Sequence, residues 1–235
     1  TLLSQRSGLP KYEHFIEKIQ PQPAELTKKY ITNQDVLNLL IRYQPELARP
    51  TNTGFMYCNT NYALLALIIE KITKMPFPEA MQQIVFRPLK MKNTYILQEK
   101  DMERSAKSFY QRGPRVYPYD RLDLIYGDKN VFTTPRDLLN FSKALFAENF
   151  LREDLKKMVF EPYSNEKPGV NNYGLGFRMK IFDNNEKLTY HNGWWHGTNS
   201  VFAQEKLQKI VNDTETVKIP NATDSLNTNN ESYSE

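Results

Sequence analysis

Tyr57, Cys58 and Asn59 bring a phenol, a thiol and a carboxamide together just before an apolar run. Residues 63–69 are apolar on every side of a helix, which predicts a helix buried through its whole girth. Such a helix would hold the polar turn rigidly at the edge of a core, and a site works only when its groups are held still. The simpler interpretation, that Asn61 only caps this helix, stays open.

Cysteine and histidine indicate no second reactive centre. Cys58 is the single cysteine, so the chain has no internal disulfide. We predict a small buried filler at Cys58, because no partner base that would make it a nucleophile is evident. His191 and His196 could form a metal pair, but with His14 as the only other histidine we predict no metal site and no cofactor.

Composition excludes several function classes. The 31 basic and 27 acidic residues are interspersed, with a net charge of +4, and no Lys-Arg run exceeds two, so we expect no nucleic-acid partner. No run approaches the ~18 apolar residues of a membrane span. The first residues lack the layout of a signal peptide and there is no initial Met. We therefore expect the chain to begin inside a longer reading frame, which leaves the compartment open.

Helical patterns come first in the chain and strand patterns follow. Thr32 and Asp35 have capping-box spacing and open a helix that Pro45 ends. Thr134 is a candidate N-cap with Pro135 at the first helical position. Further helices are predicted at 76–86 and 203–211, and strands at 95–97, 173–181, 187–191 and 200–202. The apolar stripes of the helices are predicted at Val36, Leu37, Leu40 and Ile41 and at Met81, Ile84 and Val85. Residues 212–235 are predicted to be disordered.

Five short motifs occur in an order that resembles one family. They are Ser7-Gly8-Leu9-Pro10, Tyr57-Cys58-Asn59, Gly127-Asp128 with Val131-Phe132-Thr133-Thr134 and Asp137-Leu138, Tyr173-Gly174-Leu175-Gly176-Phe177, and His191-Asn192-Gly193. Each motif is weak alone, but together they resemble the serine β-lactamase and penicillin-binding-protein superfamily, above all its class C-like branch of D-peptidases and esterases. The resemblance covers residues 1–202 and implies an α/β (α+β type) β-lactamase/transpeptidase-like fold, with a helical subdomain over 10–160 and a truncated antiparallel sheet.

The resemblance also implies a chemistry, acyl transfer through a serine in a Ser-x-x-Lys motif. Tyr57 would take part in proton transfer on the leaving-group side, and Asn59 would orient the substrate amide. His191, Asn192 and Gly193 would take the place of the family's Lys-Thr-Gly triad on an edge strand, and the N–H of Trp194 would be one of two oxyanion donors. The implied substrates are small molecules or peptides (a β-lactam, a D-amino peptide or a short ester), and family habit suggests the cell envelope.

The chain departs from the family at both ends. The family's Ser-x-x-Lys precedes the Ser-Gly-Leu-Pro turn, whereas Ser164-Asn165-Glu166-Lys167 lies in a downstream loop and is interpreted as a chance match. A polar tail over 203–235 replaces the family's later strands and long C-terminal helix. We therefore expect a fragment that is inactive alone, with apolar surface uncovered on the 173–202 sheet and around the helix at 62–73. The alternative is a non-catalytic remnant that binds a peptide or partner through the His191–Trp195 edge, where Trp194 and Trp195 either form a ligand-binding lip or pack on the buried helix.

Overall fold

Helices precede an antiparallel sheet in the chain. The computed structural model describes residues 1–110, 113–147, 150–184 and 186–205. The helices in this part are α1 (Tyr12–Glu17), α2 (Asn33–Tyr43), α3 (Asn59–Thr73), α4 (Phe77–Met81, continued by a π-helical turn at Gln82–Phe86), α5 (Pro135–Phe146) and α6 (Glu153–Val159), with 3₁₀ turns at Ala24–Thr27 and Glu99–Asp101. The strands are β1 (Tyr95–Ile96), β2 (Val131–Phe132), β3 (Asn171–Tyr173), β4 (Arg178–Ile181), β5 (Lys187–Trp195) and β6 (Thr198–Glu205).

The main sheet is a meander of four strands in the order β3-β4-β5-β6, with every neighbouring pair antiparallel. Strand β5 carries His191, Asn192 and Gly193, and it is bonded to β4 on one side and to β6 on the other. The expectation that this triplet lies on an edge strand is therefore wrong for the described sheet, because the following hairpin adds β6 outside it. The short pair β1-β2 joins the helical part separately.

The predicted strand over 173–181 is two strands. Gly174 and Gly176 form a tight turn between β3 and β4, in which the Gly174 N–H donates to the carbonyl of Phe177 and Gly176 takes a φ of +89°. Alternating polarity concealed this break, because a hairpin across a short turn keeps the same alternation. The helix predicted over 203–211 is wrong at 203–205, which extend β6, and its remaining residues lie outside the described part, as does the predicted disorder over 212–235.

Helix α2 begins as the capping box predicts but buries a different stripe. The Thr32 side chain accepts from the Asp35 N–H while the Asp35 side chain accepts from the Thr32 N–H. The buried apolar side chains are Val36 and Leu39, whereas Ile41 is 63% exposed. The buried face comprises 33, 35, 36 and 39, so of the predicted stripe Val36 is buried and Leu40 packs partly buried against the core, while Ile41 lies outside it. The helix predicted at 76–86 forms too, but Phe77, Ala80 and Phe86 are its buried side chains and Ile84 is 52% exposed. The Thr134 cap on α5 is also present.

Helix α3 is buried on one face only, so the prediction of a helix buried through its whole girth is wrong. Its inward face is small and partly polar (Thr60, Asn61, Ala63 and Ala66), while Ile68 is 44% and Ile72 74% exposed. The small side chains on this face let the loop at Gly127 approach α3 closely. A Cβ on Gly127 would lie only 2.4 Å from the carbonyl oxygen of Tyr62. No helix of the described residues is long and apolar enough to cross a membrane.

Candidate functional site

A buried amide network fixes the Tyr-x-Asn turn. The side-chain oxygen of Gln5 accepts from the Cys58 N–H at 3.0 Å and from Asn61 Nδ2 at 2.6 Å. The hydroxyl of Ser7 donates to Asn61 Oδ1 at 2.5 Å. Gln5 and Asn61 are 0% exposed. Asn61 therefore does not cap α3, as the simpler interpretation had it; it ties the start of the helix to the N-terminal loop. We call Gln5, Ser7, Cys58 and Asn61 the amide network.

The Tyr57 ring lies close to both a cation and an imidazole. The guanidinium of Arg178 is 5.1 Å from the ring centroid, and the ring of His191 is 5.9 Å away at 41°. Burial raises the pKa of Tyr57 well above its usual value, the charges of Asp128 and Glu13 add to this rise, and Arg178 opposes it. The phenol therefore stays neutral at neutral pH, where it can donate a hydrogen bond.

His191 lies on β5 next to the Tyr57 ring and is partly buried. Its Nδ1 is 2.7 Å from the carbonyl oxygen of Asn192, an acceptor, so Nδ1 carries the hydrogen there. In the neutral ring Nε2 then holds the lone pair, 3.4 Å from the hydroxyl of Tyr173. Burial lowers the pKa of His191. The ring is thus a neutral hydrogen-bond acceptor at neutral pH.

The residues after His191 divide between the surface and the core. A Cβ on Gly193 would lie 2.5 Å from Ser200 Oγ on the paired strand. Trp194 is 68% exposed. Trp195 packs against the helical core and its indole N–H donates to Asp123 Oδ1 at 2.5 Å. The two predicted roles of the tryptophans are therefore separated: Trp195 packs on helices, and Trp194 is free to contact a ligand.

A second buried polar group lies beside the turn, and sequence reasoning missed it. Asn59 Nδ2 donates to Glu13 Oε1 at 2.5 Å, and the Tyr12 hydroxyl donates to Asp128 Oδ2 at 2.8 Å. Lys129 lies 3.0 Å from the same Asp128 oxygen and also donates to the Tyr12 hydroxyl. We call Tyr12, Glu13, Asn59, Asp128 and Lys129 the carboxylate cluster. The only available signal was the Gly-Asp-Lys sequence of one motif, since nothing adjacent in sequence marks Glu13.

His196 joins the β5-β6 turn to a preceding loop. Its Nε2 is 3.1 Å from Asp120 Oδ2 and its Nδ1 is 3.2 Å from Asp123 Oδ1. These three side chains are compact enough to be considered as metal ligands. Each ring nitrogen already faces a carboxylate, and Asp123 also accepts from Trp195. His191 does not belong to this group.

Ser164 is not assembled with a lysine. Its hydroxyl is buried and has no hydrogen-bond partner in the part of the chain that the structure describes, while Lys167 is exposed. The Ser164 N–H donates to Asn172 Oδ1 at 2.8 Å. The Ser-x-x-Lys spacing here therefore brings no base to the hydroxyl, as expected of a chance match.

Comparison with known proteins decides the family. The family model described as Beta-lactamase matches residues 1–211. The chain belongs to the Beta-lactamase family. The predicted superfamily and the predicted fold, helices with an antiparallel sheet in the β-lactamase/transpeptidase arrangement, are thereby confirmed.

Relatives of this Beta-lactamase-family chain are longer than it is. A penicillin-binding protein of Bacillus subtilis (strain 168) is 27% identical over 215 residues, which are 83% of this chain and 46% of the relative. A Beta-lactamase of Lysobacter lactamgenus is 26% identical over 140 residues, 58% of this chain and 35% of the relative. The chain thus spans less than half of these two proteins.

Solved structures share the fold. The penicillin binding protein from Bacillus halodurans superposes with a TM-score of 0.71 at 21% identity, over 87% of this chain and 62% of that one. The D-amino acid amidase from Ochrobactrum anthropi SV3 gives a TM-score of 0.67 at 24% identity, over 87% and 61%. At these identities the similarity establishes the architecture alone.

Proposed function

We propose that the region around Tyr57 and His191 is one wall of an acyl-transfer site of a serine hydrolase. The attacking serine lies in a Ser-x-x-Lys segment outside this chain. The observation that carries the proposal is the contact of the Tyr57 phenol ring with Arg178 and with His191 of the His-x-Gly triplet. A neutral phenol at this position can donate a hydrogen bond to a leaving group.

The other predicted residues have roles around this phenol. The side-chain nitrogen of Asn59 donates a hydrogen bond to Glu13, so the side-chain oxygen of Asn59 is the atom that would accept a hydrogen bond from a substrate N–H. The backbone N–H of Trp194 would be one of two oxyanion donors, the second being that of the nucleophile itself. His191 and Asn192 would line the cleft, with Gly193 leaving room for the substrate backbone. The exposed indole of Trp194 would contact the bound molecule.

The substrate class is a small molecule or peptide with a reactive carbonyl: a β-lactam, a D-amino peptide or amide, or a short ester. The family assignment and relatives named for penicillin binding support this class. So does the structural neighbour named as a D-amino acid amidase.

The first test is covalent labelling. The 235-residue chain, incubated with a fluorescent penicillin and with a nitrophenyl ester, is expected to show neither an adduct nor turnover. Ser164→Ala is the matched control: an adduct on the chain that disappears in this variant would move the nucleophile to Ser164 and contradict the proposal.

The second test restores the nucleophile. If the coding sequence upstream of Thr1 contains Ser-x-x-Lys, the longer chain is expected to become acylated, and Tyr57→Phe to slow acylation by about 10²–10⁴-fold. A longer chain that folds, as circular dichroism would show, yet acylates equally fast with Tyr57→Phe would rule out the proposed role of Tyr57.

A second candidate function is favoured by the surface of the β5-β6 hairpin. Trp194 is 68% and Val201 44% exposed, and the two belong to paired strands. A non-catalytic remnant would bind a peptide or partner here, along His191–Trp195. Ligand binding without labelling in both assays, weakened by Trp194→Ala, would favour this candidate over the enzyme.

A further inference from the structure

Although β5 is an inner strand of the sheet, its backbone has neighbours on both sides only as far as Tyr190. Strand β4 begins at Arg178, which pairs with Tyr190, so the described register pairs residues 191–195 with β6 alone. Gly193 and the proposed oxyanion donor, the N–H of Trp194, belong to this one-sided stretch. Oxyanion donors are effective because they are held in place before the charge develops. A contact other than the β4 ladder must therefore fix the peptide planes here.

The imidazole of His191 supports this stretch through its Nδ1 atom. Nδ1 lies 2.7 Å from the carbonyl oxygen of Asn192 and donates to it. That carbonyl belongs to the peptide group between Asn192 and Gly193, so the hydrogen bond fixes the peptide plane directly before Gly193 and Trp194. The support depends on the orientation of the ring, because a half-turn about the bond from Cβ to the ring would place a carbon atom at the carbonyl instead of Nδ1.

A second contact holds the same ring at its other nitrogen. The hydroxyl of Tyr173 lies 3.4 Å from His191 Nε2, which is the hydrogen-bond partner that the described residues give this hydroxyl. Because Nδ1 carries the hydrogen, Nε2 of the neutral ring offers only a lone pair, so the phenol is the donor. The two rings also meet edge to face, with centroids 6.3 Å apart at 81°. A half-turn of the imidazole would remove this acceptor too, so both contacts favour one orientation.

Tyr173 is itself firmly held. Its side chain is 2% exposed, and its ring packs against Phe55 with centroids 5.0 Å apart. Its backbone carbonyl accepts from the Tyr163 N–H at 2.9 Å. Burial raises the pKa of the Tyr173 phenol, so the hydroxyl keeps the hydrogen that it donates. A residue whose own position is locked by packing can fix the side chain that it contacts.

We propose that Tyr173 is a positioning residue of the acyl-transfer site, which through His191 fixes the Asn192 peptide plane and so aims the N–H of Trp194. The role rests on the proposed acyl-transfer function. Tyr173 acts through another residue, by a chain of two hydrogen bonds: from the phenol to Nε2, and from Nδ1 to the Asn192 carbonyl. The first of these bonds is long, so the expected effects are moderate.

The first test is ¹⁵N NMR spectroscopy of the 235-residue chain at about pH 7.5. The chain has three histidines, and the ring signals that disappear in His191→Gln identify His191. In the parent chain we expect a protonated Nδ1 and an unprotonated Nε2. Tyr173→Phe removes only the hydroxyl, so the Nε2 signal should move to that of a lone pair without a donor, and the amide signal of Gly193 should move with it. Tyr163→Phe removes a phenol that donates to the Met158 carbonyl, and as the matched control it should change neither signal.

A double variant tests whether the effect passes through His191. His191→Gln alone should also move the amide signal of Gly193, because the hydrogen bond from Nδ1 is lost. Adding Tyr173→Phe to His191→Gln should move that signal no further, since two changes in one chain of contacts are not additive. Circular dichroism checks that each variant is folded before its spectrum is compared.

The kinetic test uses the longer chain with its Ser-x-x-Lys segment. Tyr173→Phe should lower the acylation rate at saturating substrate by about tenfold, the usual size of one lost hydrogen bond, and leave the half-saturating concentration within about twofold. This division is expected because an oxyanion donor acts in the transition state and not in substrate binding. Tyr163→Phe should leave both quantities unchanged.

The positioning role would be overturned by unchanged signals in a folded Tyr173→Phe variant, or by additive shifts in the double variant. If Tyr173→Phe does not fold, the parent spectrum decides: a protonated Nε2, or one without a donor, overturns the role. Failure here is distinct from failure of the proposed function. Equal acylation rates of the parent and Tyr173→Phe in the longer chain would keep the acyl-transfer site and remove the role of Tyr173. A longer chain that is not acylated, with the NMR results as expected, would remove the enzyme and leave the fixed peptide plane.

Discussion

Two buried polar groups flank Tyr57, and they differ in charge and in completeness. The amide network is neutral, and its only unpartnered atom in the described chain is the side-chain nitrogen of Gln5. The carboxylate cluster carries three charges and leaves two oxygens without donors. Each group contains a residue of the turn that begins α3, Cys58 and Asn61 in the amide network and Asn59 in the carboxylate cluster.

The difference lies in the cost of what each group leaves unpartnered. A neutral donor left without a partner costs about 1–3 kcal/mol, which a domain can tolerate. An uncompensated buried charge costs several times more and usually either pairs or neutralises. In the described chain the amide network leaves one neutral donor without a partner, whereas the carboxylate cluster leaves two carboxylate oxygens without one.

Removing the cation of the carboxylate cluster is the largest single disruption. Lys129→Met keeps the length of the side chain between the rings of Tyr12 and Trp195 but leaves Asp128 with no charge partner. We expect a loss of about 3–5 kcal/mol in the free energy of unfolding, the usual effect of breaking a buried ion pair. Urea denaturation followed by Trp fluorescence measures it.

The control for this prediction removes both charges. Lys129→Met combined with Asp128→Asn should recover most of the lost stability, because the uncompensated carboxylate is gone. If the double variant is as unstable as the single one, the loss comes from packing, and the two polar groups do not differ in the way described above.

Breaking the neutral network has a smaller expected effect. Asn61→Ala leaves Ser7 without its acceptor and Gln5 without one of its donors, all in buried positions. We expect about 2–3 kcal/mol of destabilisation, for two lost hydrogen bonds and the unpaired groups left behind. Asn38→Ala, at an exposed site of α2, is the control and should change stability by less than about 0.5 kcal/mol. Equal losses at both sites would mean that the network does not support the turn.

A double-mutant cycle sharpens the same point. Ser7→Ala removes a hydroxyl that donates to Asn61 and accepts from the Leu9 N–H at 3.1 Å, and about 1–2 kcal/mol should be lost. Combined with Asn61→Ala it should cost clearly less than the sum, with a coupling of at least about 0.5 kcal/mol. Strict additivity in denaturation would show that the two side chains act independently.

Local signals in the sequence predicted the starts of elements better than their buried faces. The Thr32–Asp35 box and the Thr134 cap depend on residues three apart, so both were predicted and are present. The exposure of Ile72 on α3 was not predicted, because composition does not show which side of an all-apolar helix packs against other residues. The break of the 173–181 strand at Gly174 was missed for a related reason, because alternation is preserved across a tight hairpin.

The site was predictable only where residues form a motif. Tyr57 and His191 lie 134 positions apart in the sequence. The order of the family motifs predicted that they belong to one site, and their ring centroids are 5.9 Å apart in the structure. The roles predicted for both residues stay predictions. Glu13 lies in α1 and Asp128 in the loop before β2, and the two have no joint pattern in sequence. Their shared property, an oxygen without a donor, exists only in the folded chain, where desolvation makes it significant.

The smallest expected effect is a pH dependence of stability that originates at His191. Burial lowers the pKa of its imidazole below the value of about 6.5 that the unfolded chain has. The unfolded state therefore binds more protons as the pH falls, so this contribution is fully present above about pH 6.5 and is lost below it. Carboxylates with lowered pKa, such as Asp35, act only below about pH 4 and lie outside this window.

His191→Gln should consequently flatten the decrease in melting temperature between about pH 7.5 and pH 5, because the amide cannot take up a proton. His14→Gln, an exposed change on α1, is the matched control and should leave the decrease as it is. A His191→Gln variant whose melting temperature falls as steeply as that of the parent would mean that its imidazole charges as readily in the fold as in water. The His191 ring beside Tyr57 would then be charged below about pH 6.5 instead of staying a neutral acceptor.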